Sequence, residues 1–121
     1  MSMVDTPLTE VLARFLDVSV FRTGLISSNL ANIDTPGYRT RDINFRQELE
    51  RQQSEFEYAS YSPLVQQVRG LATRPDGNNV SLEREGLLLA ETQLRFNAAV
   101  QLLKAEFHRL SSAIREGSTS S

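Results

Sequence analysis

Five apolar residues spaced seven apart, Leu82, Leu89, Phe96, Leu103 and Leu110, run through the last third of the chain. An apolar period of seven held over that distance fits one regular structure, a long α-helix presenting a coiled-coil-like seam to a partner. Val100, Phe107 and Ile114 share a neighbouring heptad position, with Ala99 and Ala113 between the two rows. Ser81 suits the N-cap, and Glu83 and Glu85 fall in the first turn, where the positive end of the helix dipole favours carboxylates. Arg115 and Gly117 read as a cation and a stop at the far end. A helix over 81–116 is predicted, roughly 50 Å long, with 117–121 as a flexible tail.

The seam has one obvious partner within the chain. Thr6 as a possible N-cap, Pro7 at the first helical position and Glu10 in the first turn mark a helix start. Leu8, Val11, Leu12, Phe15, Val18, Phe21, Leu25, Ile26, Leu30 and Ile33 then recur three and four apart. This predicts a helix over 6–33, roughly 40 Å long. Residues 34–80 are patterned more weakly and read as a turn and loop region. They include a short helix around Phe45 to Gln52, a Tyr58/Tyr61 pair, Pro63 and the turn-rich stretch RPDGNN at 74–79. The expected fold class is all-α, a single domain over 1–121 with two long amphipathic helices joined by a mostly irregular middle. The first helix is apolar over an arc wider than one seam covers, so further layers are expected from other subunits. Val11, Phe15, Val18 and Leu25, with Leu82, Leu89, Phe96, Leu103 and Leu110, are the residues expected to pack in that assembly.

Several function classes fall away on composition. A net charge of −2, with acids and bases interleaved, gives no footprint for nucleic acid or an anionic membrane. The absence of cysteine removes disulfides and thiolate chemistry. His108 is the sole histidine, so one chain assembles neither a His-based triad nor a multi-His metal site. The carboxylates of Asp5, Glu10, Asp17, Glu48, Glu50, Glu83 and Glu85 accompany no recognisable nucleophile, and Gly70 and Gly77 form no phosphate-cradling pattern. No enzyme activity and no cofactor are expected. The first residues, MSMVDTPLTEVLARF, carry acids where a cleaved signal would be basic, and no apolar run is long enough to span a bilayer.

The most distinctive stretch is SSNLANIDTPGYR, residues 27–39. Small and amide side chains let another backbone approach and offer it hydrogen bonds. Proline pushes Thr35 out of helical geometry, and Pro36 and Gly37 suit the central positions of a type II turn from Thr35 to Tyr38. Such a turn aims Tyr38 back toward the helix. On the residues alone, a simple helix stop and an interaction seam both remain open.

Ala31, Asn32, Thr35, Pro36, Gly37 and Tyr38 fill the six specified places of ANxxTPGY, so the run resembles the signature of the bacterial flagellar axial proteins, the rod, hook and hook-associated family. Residues 74–114 resemble the C-terminal half of a short proximal rod protein of that family: an Asp-Gly-Asn turn, an acidic helix start, then Arg95-Phe96-Asn97 midway. The large inserted domains of hook and distal rod members do not fit in 121 residues. The resemblance implies an antiparallel pairing of the terminal helices and a structural role in the rod of the basal body, as part of the drive shaft and of the channel for exported axial proteins. It implies export by the flagellar type III system without a cleaved signal, to a periplasmic rod. The implied partners are further copies, other rod proteins, and the adaptor FliE and export gate at the base. The family's second short proximal rod protein and a non-flagellar helical adaptor are the alternative readings.

Overall fold

The computed structural model describes residues 7–54 and 62–119. Thr6 and the Tyr58/Tyr61 pair lie outside them. In chain order the elements are α1 (Pro7–Ala31), β1 (Arg41–Asp42), α2 (Phe45–Ser54), β2 (Gln66–Gln67) and α3 (Leu82–Thr119). The two strands pair antiparallel, Arg41 opposite Gln67 and Asp42 opposite Gln66.

Helix ends follow local chemistry. Pro7 opens α1 with Glu10 in its first turn. Asn44 precedes α2, and its Oδ1 accepts the Gln47 N–H at 3.0 Å; Ser81 caps α3 by accepting the Arg84 N–H at 3.2 Å. One expectation is corrected: α3 runs through Gly117 to Thr119. A glycine stops a helix by taking a positive φ, and the described glycines that do so are Gly37, Gly70 and Gly77.

The long helices pack antiparallel. Asn29 near the end of α1 reaches Glu85 near the start of α3, Val20 and Thr23 stand beside Phe96 and Asn97, and Leu12 and Phe15 stand beside Ala98 and Ala99. The side of α3 pressed closest to α1 is Glu85, Thr92, Ala99 and Glu106, all buried and seven apart. This row lies three residues beyond the row predicted to form the seam. Leu89, Phe96, Leu103 and Leu110 flank it half-buried, whereas Leu82 is 65% exposed. Small Ala99 and Thr92 let the helices approach, and the larger side chains close the edges of the contact.

The middle segment supplies a layer of its own. Val18, Leu25 and Ile43 form the buried core, with Phe21, Phe45, Leu49 and Val65 packed against it. Phe15 and Phe45 meet edge to face, their centroids 5.0 Å apart. Val18 and Leu25, expected between subunits, therefore pack within the protomer beneath α2 and its flanks. Their position on α1 decides this, because they face the same side as Phe21. Glu48 of α2 is fully buried, but its carboxylate accepts from the Arg51 guanidinium and from the Leu64 N–H, each at 2.9 Å, so the charge is partnered and the chain after α2 is tied back. Among the described residues no helix is long and apolar enough to cross a membrane.

Glu106 closes the seam toward the N-terminal end of α1, and Arg109 one turn on donates to both its oxygens. That hydrogen bond holds the Glu106 carboxyl below its ordinary range, against the smaller opposing effect of burial, and raises the Arg109 guanidinium. A lowered folded pKa contributes stability that is complete above the unfolded value, about 4.3, and disappears as pH falls through the folded value. Glu106→Gln should accordingly lower the urea midpoint at pH 7, and the gap from the parent should narrow as pH falls below the ordinary carboxylate range. A gap independent of pH would show that the ion pair contributes nothing.

Candidate functional site

The residues 27–39 fold into the hub of the molecule. The Tyr38 N–H donates to the Thr35 carbonyl at 3.2 Å and Gly37 has φ +77°, the values of a type II turn. The turn returns Tyr38 to α1, where its hydroxyl donates to Asn29 Oδ1 at 3.0 Å and lies 3.4 Å from Ser28 Oγ.

Asn29 is fully buried, and its amide uses its whole capacity. Oδ1 accepts from Tyr38 and from the Arg41 N–H at 3.1 Å; Nδ2 donates to the Arg41 carbonyl at 2.8 Å and to Glu85 Oε2 at 3.2 Å. Toward Arg41 the side chain mimics a neighbouring strand, matching one N–H and one C=O. Four parts of the chain, α1, the turn, β1 and α3, converge on this one amide.

Glu85 passes the network on. Its other oxygen takes Arg84 Nη1 at 2.7 Å, Arg84 Nη2 reaches Asp42 Oδ2 at 2.9 Å, and Asp42 is gripped in fork geometry by Arg22 at 3.1 and 2.9 Å. Two cations thus alternate with two anions across α1, β1 and α3, all largely shielded from water. Such a cluster contributes little net stability relative to apolar packing, yet breaking it leaves a buried charge unpaired, which fixes the register of the three elements.

A second turn, in the RPDGNN stretch, locks onto the first. The Gly37 N–H donates to the Asp76 carbonyl at 2.9 Å, and Gly77, at φ +87°, stands so close that a Cβ there would lie 3.3 Å from Gly37 Cα. Asn78 is also fully buried: its Nδ2 donates to the carbonyls of Asn32 and Thr35 at 2.9 Å each, while its Oδ1 accepts from Arg74 and the Val80 N–H. Arg74 further donates to the Ile33 carbonyl. Local N–H groups of Asn32 and Ile33 take the carbonyls of Ser28, Asn29 and Leu30 in the last turn of α1, and Arg74 and Asn78 reach from far along the chain to the carbonyls of Asn32, Ile33 and Thr35 just beyond it. Asn79 Oδ1 completes the lock by accepting the Thr40 N–H at 2.6 Å.

Of the turn residues singled out in the sequence, Asn32, Thr35, Gly37 and Tyr38 join this knot. Ala31 and Pro36 are exposed beside it. The helix residues Val11, Phe15, Leu89, Phe96, Leu103 and Leu110 lie along the α1/α3 pair, away from the turn, whereas Leu82 opens α3 three residues after Asn79, whose N–H donates to the Tyr38 carbonyl. Sequence reasoning missed Arg22, Asp42, Arg84, Glu85, Asn78 and Asn79. One signal was available: Glu85 sits in the heptad register of Thr92 and Ala99, and a carboxylate at a core position needs a buried partner. His108 is exposed, and among the described residues no three His, Cys, Asp or Glu side chains group as a metal site.

The family model described as flagella basal body rod protein matches residues 22–39, from Arg22 of the ion cluster through the turn. Similar proteins cover most of the chain. The flagellar basal body rod protein FlgB of Cereibacter sphaeroides is 31% identical over 117 residues, 87% of this chain and 91% of the relative. That of Aeromonas hydrophila is 30% identical over 115 residues, 83% and 86%. That of Bacillus subtilis is 27% identical over 105 residues, 77% and 81%.

Alanine at the glycines separates helix from turn. Gly24→Ala, exposed in α1 with open space around the new Cβ, should stabilise the chain by about 0.5 to 1 kcal/mol. Gly77→Ala should destabilise it by about 1 to 3 kcal/mol, since it adds a strained φ and crowds Gly37. Equal denaturation midpoints for the two variants would refute the interlocked turns.

Asn29→Ala orphans the Arg41 N–H and C=O together with one Glu85 oxygen, so a loss of about 2 to 4 kcal/mol is expected in chemical denaturation. A loss below about 1 kcal/mol would mean that water replaces the amide and that Asn29 is no hub.

Proposed function

The chain belongs to the FlgB family of flagellar basal body rod proteins, and from that membership we propose that it is a structural subunit of the proximal rod. There it helps form the shaft that transmits motor torque and the channel through which axial proteins are exported. The observation that carries this reading is where the matched stretch falls: residues 22–39 are the end of α1 and the turn on which the whole fold is knotted. A subunit under torque needs its helices held in fixed register, and the Asn29 and Asp42 networks supply that.

The rod lies in the periplasm, and the chain reaches it through the flagellar type III apparatus without a cleaved signal. Its partners are further copies, other rod proteins, the adaptor FliE and the export gate at the base. Packing between subunits uses what the protomer leaves uncovered. Val11 and Leu82 are exposed, and Phe15, Leu89, Phe96, Leu103 and Leu110 are partly so. Two shallow grooves along the α1/α3 pair, lined by Val20, Thr23, Phe96 and Asn97 and by Val11, Phe15, Ala98 and Leu102, offer seats for neighbouring helices.

Imaging of basal bodies from a strain lacking the chain tests the proposal. Rods should be missing and the cells non-motile, with both restored by the gene in trans. Complete rods in the deletion strain would dismiss the rod assignment.

A further inference from the structure

Resting on that rod reading, we infer that a basic face beside the β1/β2 ladder docks a second copy of the chain through the outer, acidic and apolar strip at the start of its α3. The ladder register pairs Arg41 with Gln67, and the Val68 N–H to Thr40 carbonyl bond continues it. One residue further, Arg39 comes opposite Arg69. Alternation along strands places Arg39, Arg41 and Arg69 on one side, and all three are exposed. Among the described residues none has a carboxylate partner; Arg39 bonds the Thr73 hydroxyl and the Gly77 carbonyl instead. Like charges opposite one another in a ladder are unfavourable, which an acidic partner would relieve. An open groove of about 1020 Å³ lies beside them, lined in part by Arg39, Gln67, Arg69, Arg84 and Asp42, whose carboxylate is taken by Arg22 and Arg84, and gives such a partner a concave seat.

The complementary surface is on the chain itself. Glu83, Leu87, Glu91 and Leu94 recur four, four and three apart, within roughly a 100° arc of the helix. All are exposed, Leu87 at 63% and Leu94 at 72%. Neither glutamate has a cationic partner among the described residues. This arc faces away from the buried row of Glu85, Thr92 and Ala99. Glu83 and Glu91 stand about 12 Å apart along the axis, and Arg41 and Arg69, diagonal neighbours across the ladder, about 7 to 8 Å, a difference that flexible arginine stems span. In the inferred contact the basic face of one copy takes the acidic strip of the next, a heterologous arrangement that propagates as an open helical array requires.

Charge exchange in full-length protein, expressed in the deletion strain, tests the contact. Arg41→Glu with Arg69→Glu should abolish rods, as should Glu83→Lys with Glu91→Lys, while all four changes together should restore them. Rods at parental frequency in either paired variant, or their absence in the fourfold variant, would overturn the inference. Neither result touches the rod assignment, which stands or falls with the deletion strain alone. A second measurement is independent of rescue: the chain has no cysteine, so Arg69→Cys with Leu87→Cys should give disulfide-linked multimers in isolated basal bodies under mild oxidation. The double variant remaining wholly monomeric, in rods that assemble, would also overturn it.

Discussion

The structure depends on one buried amide. Without Asn29, the backbone of Arg41 and the carboxylate of Glu85 would have to find water in the interior, and unpaired groups there cost more than the bonds themselves contribute. Because the amide has two donors and two acceptors and uses all of them, it tolerates one arrangement of α1, the turn, β1 and α3. The arginine and carboxylate chain through Arg22, Asp42, Arg84 and Glu85 extends that demand outward. Apolar contact between two long helices alone would permit sliding by a heptad; the polar knot forbids it.

How much of this the residues announce depends on the range of the interaction. Both long helices are legible because apolar periodicity is local, and so is the turn, since Pro36 and Gly37 dictate their own torsions. The short helix after Asn44 is legible for the same reason. The heptad row of Leu82 to Leu110 indicates that α3 has a seam but not which flank presses on α1, and the buried row proved to be the one carrying Glu85 and Ala99. The two-residue strands join residues about 25 positions apart, and the partnership of Arg74 with Ile33 and the stacking of Gly77 on Gly37 join residues about forty apart; no periodicity encodes such pairings. RPDGNN was readable as a turn and unreadable as a lock.

The division of surface within the protomer bears on its place in a rod. Val18, Leu25 and Ile43 are consumed in a small core beneath α2, while Leu87, Leu94, Leu102 and Val20 face outward. The chain is thus internally tied at the turn end by polar bonds and left apolar along its length. A subunit built this way holds a defined shape on its own and still has unburied area to contribute when surrounded by others.

The interlocked turns also set an order of events. Arg74 and Ile33 are 41 positions apart, and Asn78 and Asn32 are 46. Until residues 74–79 arrive, the Ile33 carbonyl lacks its Arg74 donor, the Asn32 and Thr35 carbonyls lack the Asn78 amide, and Gly37 lacks its Asp76 partner. Bringing those residues together means closing a long loop whose entropic cost precedes any reward. The helices can flicker into being early, as local structure does, but the knot is a late event. The chain therefore stays pliable while its two halves are apart and sets hard only when the C-terminal half closes onto the turn.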